Sequence, residues 1–159
     1  MDTSECEKKP ILHLQNFLQG SCPYIYVNFI TGNNTLNCIK ALALLDSTSE
    51  NSRMSLGSIA KIYKHADLIK HMSLDFLNES VHFLLPLFLE DEKKVEHLFK
   101  HKIHIDHDLS GPTVILGNDF LCSKLFHSMT RKHIVMKNPQ NSSLLVKIPI
   151  FRYSTTLKQ

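Results

Sequence analysis

From residue 24 onward the chain alternates short apolar runs with clusters of turn-forming residues, the pattern of a β protein. YIYVNFI (24–30) is rich in β-branched and aromatic side chains, TGNN follows, and TLNCIKALALLD (35–46) is a second apolar run. Two such runs around Gly-Asn-Asn predict a β-hairpin. STSEN (47–51) is turn material. In MSLGSIAKIYKHADLIKHM (54–72), Ile59, Ile62, Tyr63 and Ala66 have helical spacing and predict a short helix. LDFLNESVHFLLPLFLEDEKK (74–94) has an apolar centre, Val81 to Leu89, interrupted by Pro86. A proline there argues against a helix interior and a central strand, and predicts an edge strand or a bent pair. VEHLFKHKIHIDHD (95–108) ends in alternation, with Ile103 and Ile105 on one face and His104 and Asp106 on the other. Residues 108–112 turn the chain, and TVILG (113–117) is a compact buried strand stopped by glycine. NDFLCSKLF (118–126) predicts one or two helical turns; HIVMK (133–137) and SLLVKIPIFRY (143–153) predict further strands. Ahead of this, residues 1–22 read as a polar leader and N-terminal arm, with ILHLQNFL (11–18) a short helix or an irregular arm. The expected organisation is one mainly β domain over 23–153 with one or two short helices, and a tail over 154–159.

At 159 residues, 43% hydrophobic and 21% charged, the chain has enough apolar material for one core and too little charge for a disordered tail protein. A net charge of +3 does not by itself imply nucleic-acid binding. The charge is uneven: residues 120–159 hold seven Lys and Arg and no Asp or Glu. This reads as a solvated basic face, or more sharply as weak contact with an acidic partner. Aromatics interleaved with those cations are few (Phe126, Phe151, Tyr153), which argues against a nucleic-acid module. Cys6, Cys22, Cys38 and Cys122 form no CxxC pair, so a zinc knuckle is not expected; Cys38 and Cys122 lie among apolar neighbours and read as small core residues. The polar first ten residues do not resemble a secretory signal, and no apolar run approaches about 18 residues. An intracellular, reduced protein with no membrane partner is the expectation.

Two motifs carry the candidate chemistry. Leu44-Leu45-Asp46-Ser47 places one carboxylate at the tip of an apolar run. About 70 residues further on, Ile115-Leu116-Gly117-Asn118 opens a helical run. Together they resemble the retropepsins, the aspartic proteases of retroviruses, LTR retrotransposons and plant pararetroviruses, whose pattern is apolar-apolar-Asp-Thr/Ser-Gly-Ala/Ser, a flap, and Ile-Leu/Ile-Gly-x-x-Phe/Trp-Leu. VILGNDFL (114–121) follows the second element closely, and GNDF is similar to the GNNF of plant pararetrovirus proteases. The resemblance spans roughly residues 24–153.

It implies a closed β-barrel of acid-protease type with one lobe per chain, and therefore a homodimer in which each subunit supplies Asp46. Two carboxylates held that close share one proton, so one acts as acid and the other as base. The implied reaction is endopeptidase cleavage of a viral or retroelement polyprotein by an activated water, in the host cytoplasm or a virus-like particle, without metal or cofactor. Ser47 would orient the dyad, Thr48 and Ser49 would shape the loop, and Ile115, Leu116 and Gly117 would support it from below. A hairpin within 72–94 would be the flap, and the strand within 143–153 would add to a dimer sheet. Two departures stand out: Thr48 replaces the family glycine, and no glycine lies between Gly57 and Gly111 where the flap falls. They favour the alternative, a catalytically inactive protease-like domain serving dimerisation or interaction.

Other chemistries fare worse. An Asp after an apolar strand is by itself more often a turn residue or helix cap than a catalyst. Asp119 opens a helical run and reads as a structural anionic cap. His97, His101, His104 and His107 tempt a metal assignment, with His97 and His101 four apart as on one helix face, but His104 and His107 would face opposite ways on a strand. Exposed titrating histidines are the simpler expectation. There is no GxSxG elbow, P-loop or dinucleotide fingerprint.

Overall fold

The computed structural model describes residues 11–12, 22–30, 38–63, 72–75, 80–109 and 114–152. The expected hairpin is present as β2 (Tyr24–Ile30) and β3 (Cys38–Leu45), antiparallel in unbroken register from Tyr24↔Leu44 to Ile30↔Cys38. A short strand, β1 (Ile11–Leu12), lies parallel to β3, where a helix or irregular arm was expected; residues 13–18 lie outside the described residues.

Six strands close into a barrel. β2 pairs β6 (Ser80–Glu90), β6 pairs β7 (Glu96–Asp106), β7 pairs β4 (Arg53–Ser55), and β4 pairs β8 (Val114–Leu116). β8 then pairs β3 in parallel, through Leu44↔Ile115 and Leu45↔Leu116, and removes the open edge. The fold is therefore the mainly β closed barrel that the motifs implied. Its interior is the alternate set of side chains: Ile25, Val27 and Phe29 from β2, Leu45 from β3, Met54 from β4, Leu85, Leu87 and Leu89 from β6, Ile103 from β7, and Val114 and Leu116 from β8.

Pro86 lies in β6, which is not an edge strand. It pairs β7 from His82 to Glu90, and Pro86 faces Lys100. On its other side, β6 pairs β2 only at Leu87 and Phe88, and pairs β5 (Met72–Asp75) from Ser80 to Phe83. Proline thus falls in the gap between the β2 and β5 ladders, where β6 is paired on the β7 side alone. β5 and β6 form the hairpin expected in the flap region, although residues 76–79 at its tip lie outside the described residues.

The predicted helix spans Leu56–Ile62 (α1), with Ser55 capping it by accepting from the Ser58 amide (3.2 Å) and Ile59 and Ile62 turned inward. The second, α2 (Asn118–Leu121), is a single turn. The helical reading of 118–126 ran too far: Phe126–Met129 is a strand, β9. β9, β10 (His133–Asn138) and β11 (Asn141–Pro149) form a separate three-stranded antiparallel sheet. Ile134, Met136, Val146 and Ile148 from that sheet join the barrel's apolar cluster. Cys38 is buried as expected, but Cys122 is exposed, its thiol bonding the Asn118 side chain (3.2 Å) because α2 ends at Leu121. No helix among the described residues is long and apolar enough to cross a membrane.

Leu85 is 1% exposed in the barrel interior, so Leu85→Ala should lower the unfolding free energy by about 2–5 kcal/mol. Urea unfolding measures this; a loss under about 1 kcal/mol would mean the interior is not close-packed there.

Candidate active site

β3 runs out of the barrel at Leu45, and the chain turns at once. The Asp46 amide donates to the Leu116 carbonyl (3.0 Å), continuing the β3–β8 pairing by one bond beyond the strand. The Ser49 amide donates to the Asp46 carbonyl (3.2 Å), which closes a four-residue turn over 46–49. The half-buried Asp46 carboxylate stands at the head of this turn, with Ser47 and Thr48 exposed beside it.

Thr48, at the family glycine position, makes two contacts with that carboxylate. Its amide and its hydroxyl both donate to Asp46 Oδ1, at 2.9 and 2.5 Å. The backbone contact is an Asx turn, which any residue can complete. The single positive-φ non-glycine residue among those described is Lys94, so the turn does not need a left-handed residue at position 48. The hydroxyl is what threonine adds.

The loop rests on β8 and α2. Gly117 is placed so that an added Cβ would lie 2.6 Å from the carbonyl oxygens of both Ser49 and Asn51. The glycine is required by close approach of two backbone segments. The first amides of α2 then serve the loop: Asn118 donates to the Ser49 carbonyl (2.7 Å) and Asp119 to the Glu50 carbonyl (3.1 Å).

Beneath this lies a node that sequence patterning missed. Ser52 is fully buried. Its Oγ donates to Asp119 Oδ1 (2.6 Å), accepts from the Gly117 amide (3.0 Å), and lies 2.9 Å from His101 Nε2. A hydroxyl has one hydrogen and two lone pairs. The hydrogen goes to the carboxylate, so His101 Nε2 must carry a hydrogen and donate. Asp119 also accepts from the Ser52 amide (2.9 Å) and faces His101 at 3.5 Å. Burial disfavours the Asp119 carboxylate, but the hydrogen bonds from His101 and Ser52 and the charge of His101 outweigh it and bring its pKa to about 2. Asp119 is therefore structural, as read from the sequence, yet it anchors the loop rather than capping its own helix. No pattern marks Ser52, and His101 reveals itself only when β7 crosses behind the loop.

The other histidines disperse along β7. His97 bonds Asp91 (2.8 Å), and His104 lies beside His82. The i, i+4 helix face imagined for His97 and His101 does not exist, because both are in a strand. On the loop's flank, Arg53 donates from Nε to Ser49 Oγ (3.0 Å) and from Nη1 to Asp106 Oδ2.

Two outcomes are expected. Ser52→Ala leaves the Gly117 amide and His101 without their acceptor and should cost about 1–3 kcal/mol by chemical denaturation. The Asp119 pKa is depressed on folding, so its contribution is full above the ordinary carboxylate range and is lost as pH falls through about 2. Wild type should therefore lose melting temperature between roughly pH 4 and pH 2, and Asp119→Asn should flatten that part of the profile. An unchanged acid limb in the variant would show that other carboxylates govern it.

No protein-family model matches the sequence, and no curated protein matches it. Among solved structures the chain is similar to the retroviral protease-like domain of Ddi1 from Leishmania major, with a TM-score of 0.50 and 15% sequence identity over 82% of this chain and 93% of that one. At that identity the likeness bears on the fold alone. Barrel closure and the structural neighbour agree on one conclusion: this chain has the retropepsin-like, protease-like fold.

Proposed function

We propose that the chain is an aspartic endopeptidase that works as a homodimer and cleaves a viral or retroelement polyprotein. The observation that supports this best is the placement of Asp46. A carboxylate stands at the open end of a barrel strand, on a turn held rigidly from behind by Leu116 and Gly117. One such carboxylate per chain calls for a second copy related by a two-fold axis. The paired carboxylates then share a proton: one takes a hydrogen from water, the other donates to the scissile carbonyl, and the tetrahedral intermediate collapses with the amine leaving. No covalent intermediate arises and no metal is called for. Ser47, exposed next to Asp46, would orient the dyad from the partner side, and the β5–β6 hairpin would cover substrate and exclude water.

A second reading has its own support in Thr48. The Thr48 amide and hydroxyl both engage Asp46 Oδ1, so the added hydroxyl competes for an oxygen that a partner carboxylate or a water would need. A chain whose carboxylate stays so engaged would be an inactive protease-like scaffold serving dimerisation or interaction.

Cleavage of apolar peptides at about pH 5, with and without pepstatin, separates the two. The enzyme reading expects pepstatin-sensitive cleavage by a dimer, reduced at least about 100-fold in Asp46→Asn. Thr48→Gly should raise kcat about tenfold by removing the competing hydroxyl. A folded dimer with no cleavage, in wild type and in Thr48→Gly alike, would leave the scaffold reading.

A further inference from the structure

Strand register places a set of side chains in one lateral row across the barrel. Leu44 pairs Ile115, Ile115 pairs Arg53, Arg53 pairs His104, and His104 pairs His82. Directly paired residues share a face. Asp46 stands directly beyond the end of β3, its amide donating to the Leu116 carbonyl (3.0 Å) next to Ile115. The row therefore starts beside the candidate catalytic carboxylate and runs toward the β5–β6 hairpin. It is apolar for its first two members and polar for the remaining three. Arg53 stands two strand spacings from Leu44, about 10 Å.

Arg53 is held in place but not used up. Ser49 takes Nε and Asp106 takes Nη1, and the side chain remains 32% exposed. A guanidinium has five N–H donors in a planar fork that suits a carboxylate. His104 and His82 follow with ring centroids 5.4 Å apart, both partly exposed. Their rings bring two further polar side chains to the same level. Among the described residues Arg53 pairs with the Asp106 carboxylate, which offsets part of its charge.

We infer that Arg53, with His104 and His82, forms a substrate subsite that selects an acidic side chain, Glu or Asp, at one position near the scissile bond of an extended peptide. This rests on the endopeptidase reading, and it adds a specificity: an apolar residue over Leu44 and Ile115, an acidic one over Arg53. Asp106 would tune the subsite by holding the guanidinium in place while limiting its pull on the ligand.

The test uses the full chain carrying Asp46→Asn, so that peptides bind without being consumed. Apolar octapeptides with Glu, Gln or Leu at each of the four central positions in turn are titrated by calorimetry. At one position Glu should bind about tenfold more tightly than Leu, as expected for one charge-assisted hydrogen bond. Arg53→Met should abolish that advantage, and Asp106→Asn should enlarge it, an effect that a purely structural ion pair would not produce. If Arg53→Met fails to fold, the Asp106→Asn comparison decides, together with ring-proton NMR shifts of His82 and His104 on adding the Glu peptide. Leu binding as well as Glu at all four positions overturns the inference, as does an Asp106→Asn that leaves the ranking unchanged. A wild-type chain that cleaves peptides without regard to Glu refutes the subsite alone. A chain that neither cleaves nor binds any of them removes the endopeptidase reading with it.

Discussion

The hydroxyl of Ser52 joins three parts of the chain that are far apart in sequence. It receives the Gly117 amide, gives its hydrogen to Asp119 and accepts from His101. All three of its hydrogen-bonding sites are filled, and the residue has no contact with water. Around that point β4, β7 and the β8–α2 junction are held in fixed relation. The turn carrying Asp46 is laid over them with carbonyls seated on helix amides. Loss of any partner would strand buried polar groups, so the network specifies one loop geometry rather than a family of them.

Barrel closure depends on the same place. β8 is only three residues long, yet it pairs β3 on one side and β4 on the other. Val114 and Leu116 point into the core, while Ile115 faces the Asp46 side. A strand this short contributes few ladder bonds by itself. What keeps it in register is the immediate continuation into Gly117 and α2, pressed against the loop at a distance no Cβ would fit. Packing of the core and positioning of the candidate site are therefore one structural problem. The geometry of the Asp46 turn and an intact barrel are not separable here.

The threonine at position 48 shows how a departure from a family pattern can be conformationally silent and chemically significant. Its backbone does what a glycine would do, donating to Asp46 Oδ1. Its hydroxyl adds a second donor to the same oxygen. This contact engages a carboxylate oxygen that a glycine would leave to the backbone amide alone.

Much of this was legible in the chain. The hairpin ending at Leu45, the alternation of Ile103 and Ile105, and the VILG strand follow from period-two apolar patterning and turn residues, which act locally. The pairing of LLDS with VILGNDF came from the resemblance to the retropepsins, and the structure sets the two strands side by side, Leu44 against Ile115 and Leu45 against Leu116. What patterning could not supply was long-range. Pro86 looked like an edge residue because its tolerance depends on which neighbours pair on each side, and only the assembled sheet leaves a gap there. β9 was hidden because a short strand of mixed polarity forms against β10 and not by its own propensity. Ser52, His101 and Asp119 lie on three separate segments, and no spacing rule connects them. Local sequence determined most of the barrel strands and where a carboxylate emerges. The tertiary structure alone decided what that carboxylate rests on, because hydrogen-bond satisfaction in a closed barrel is settled by partners brought together from distant positions.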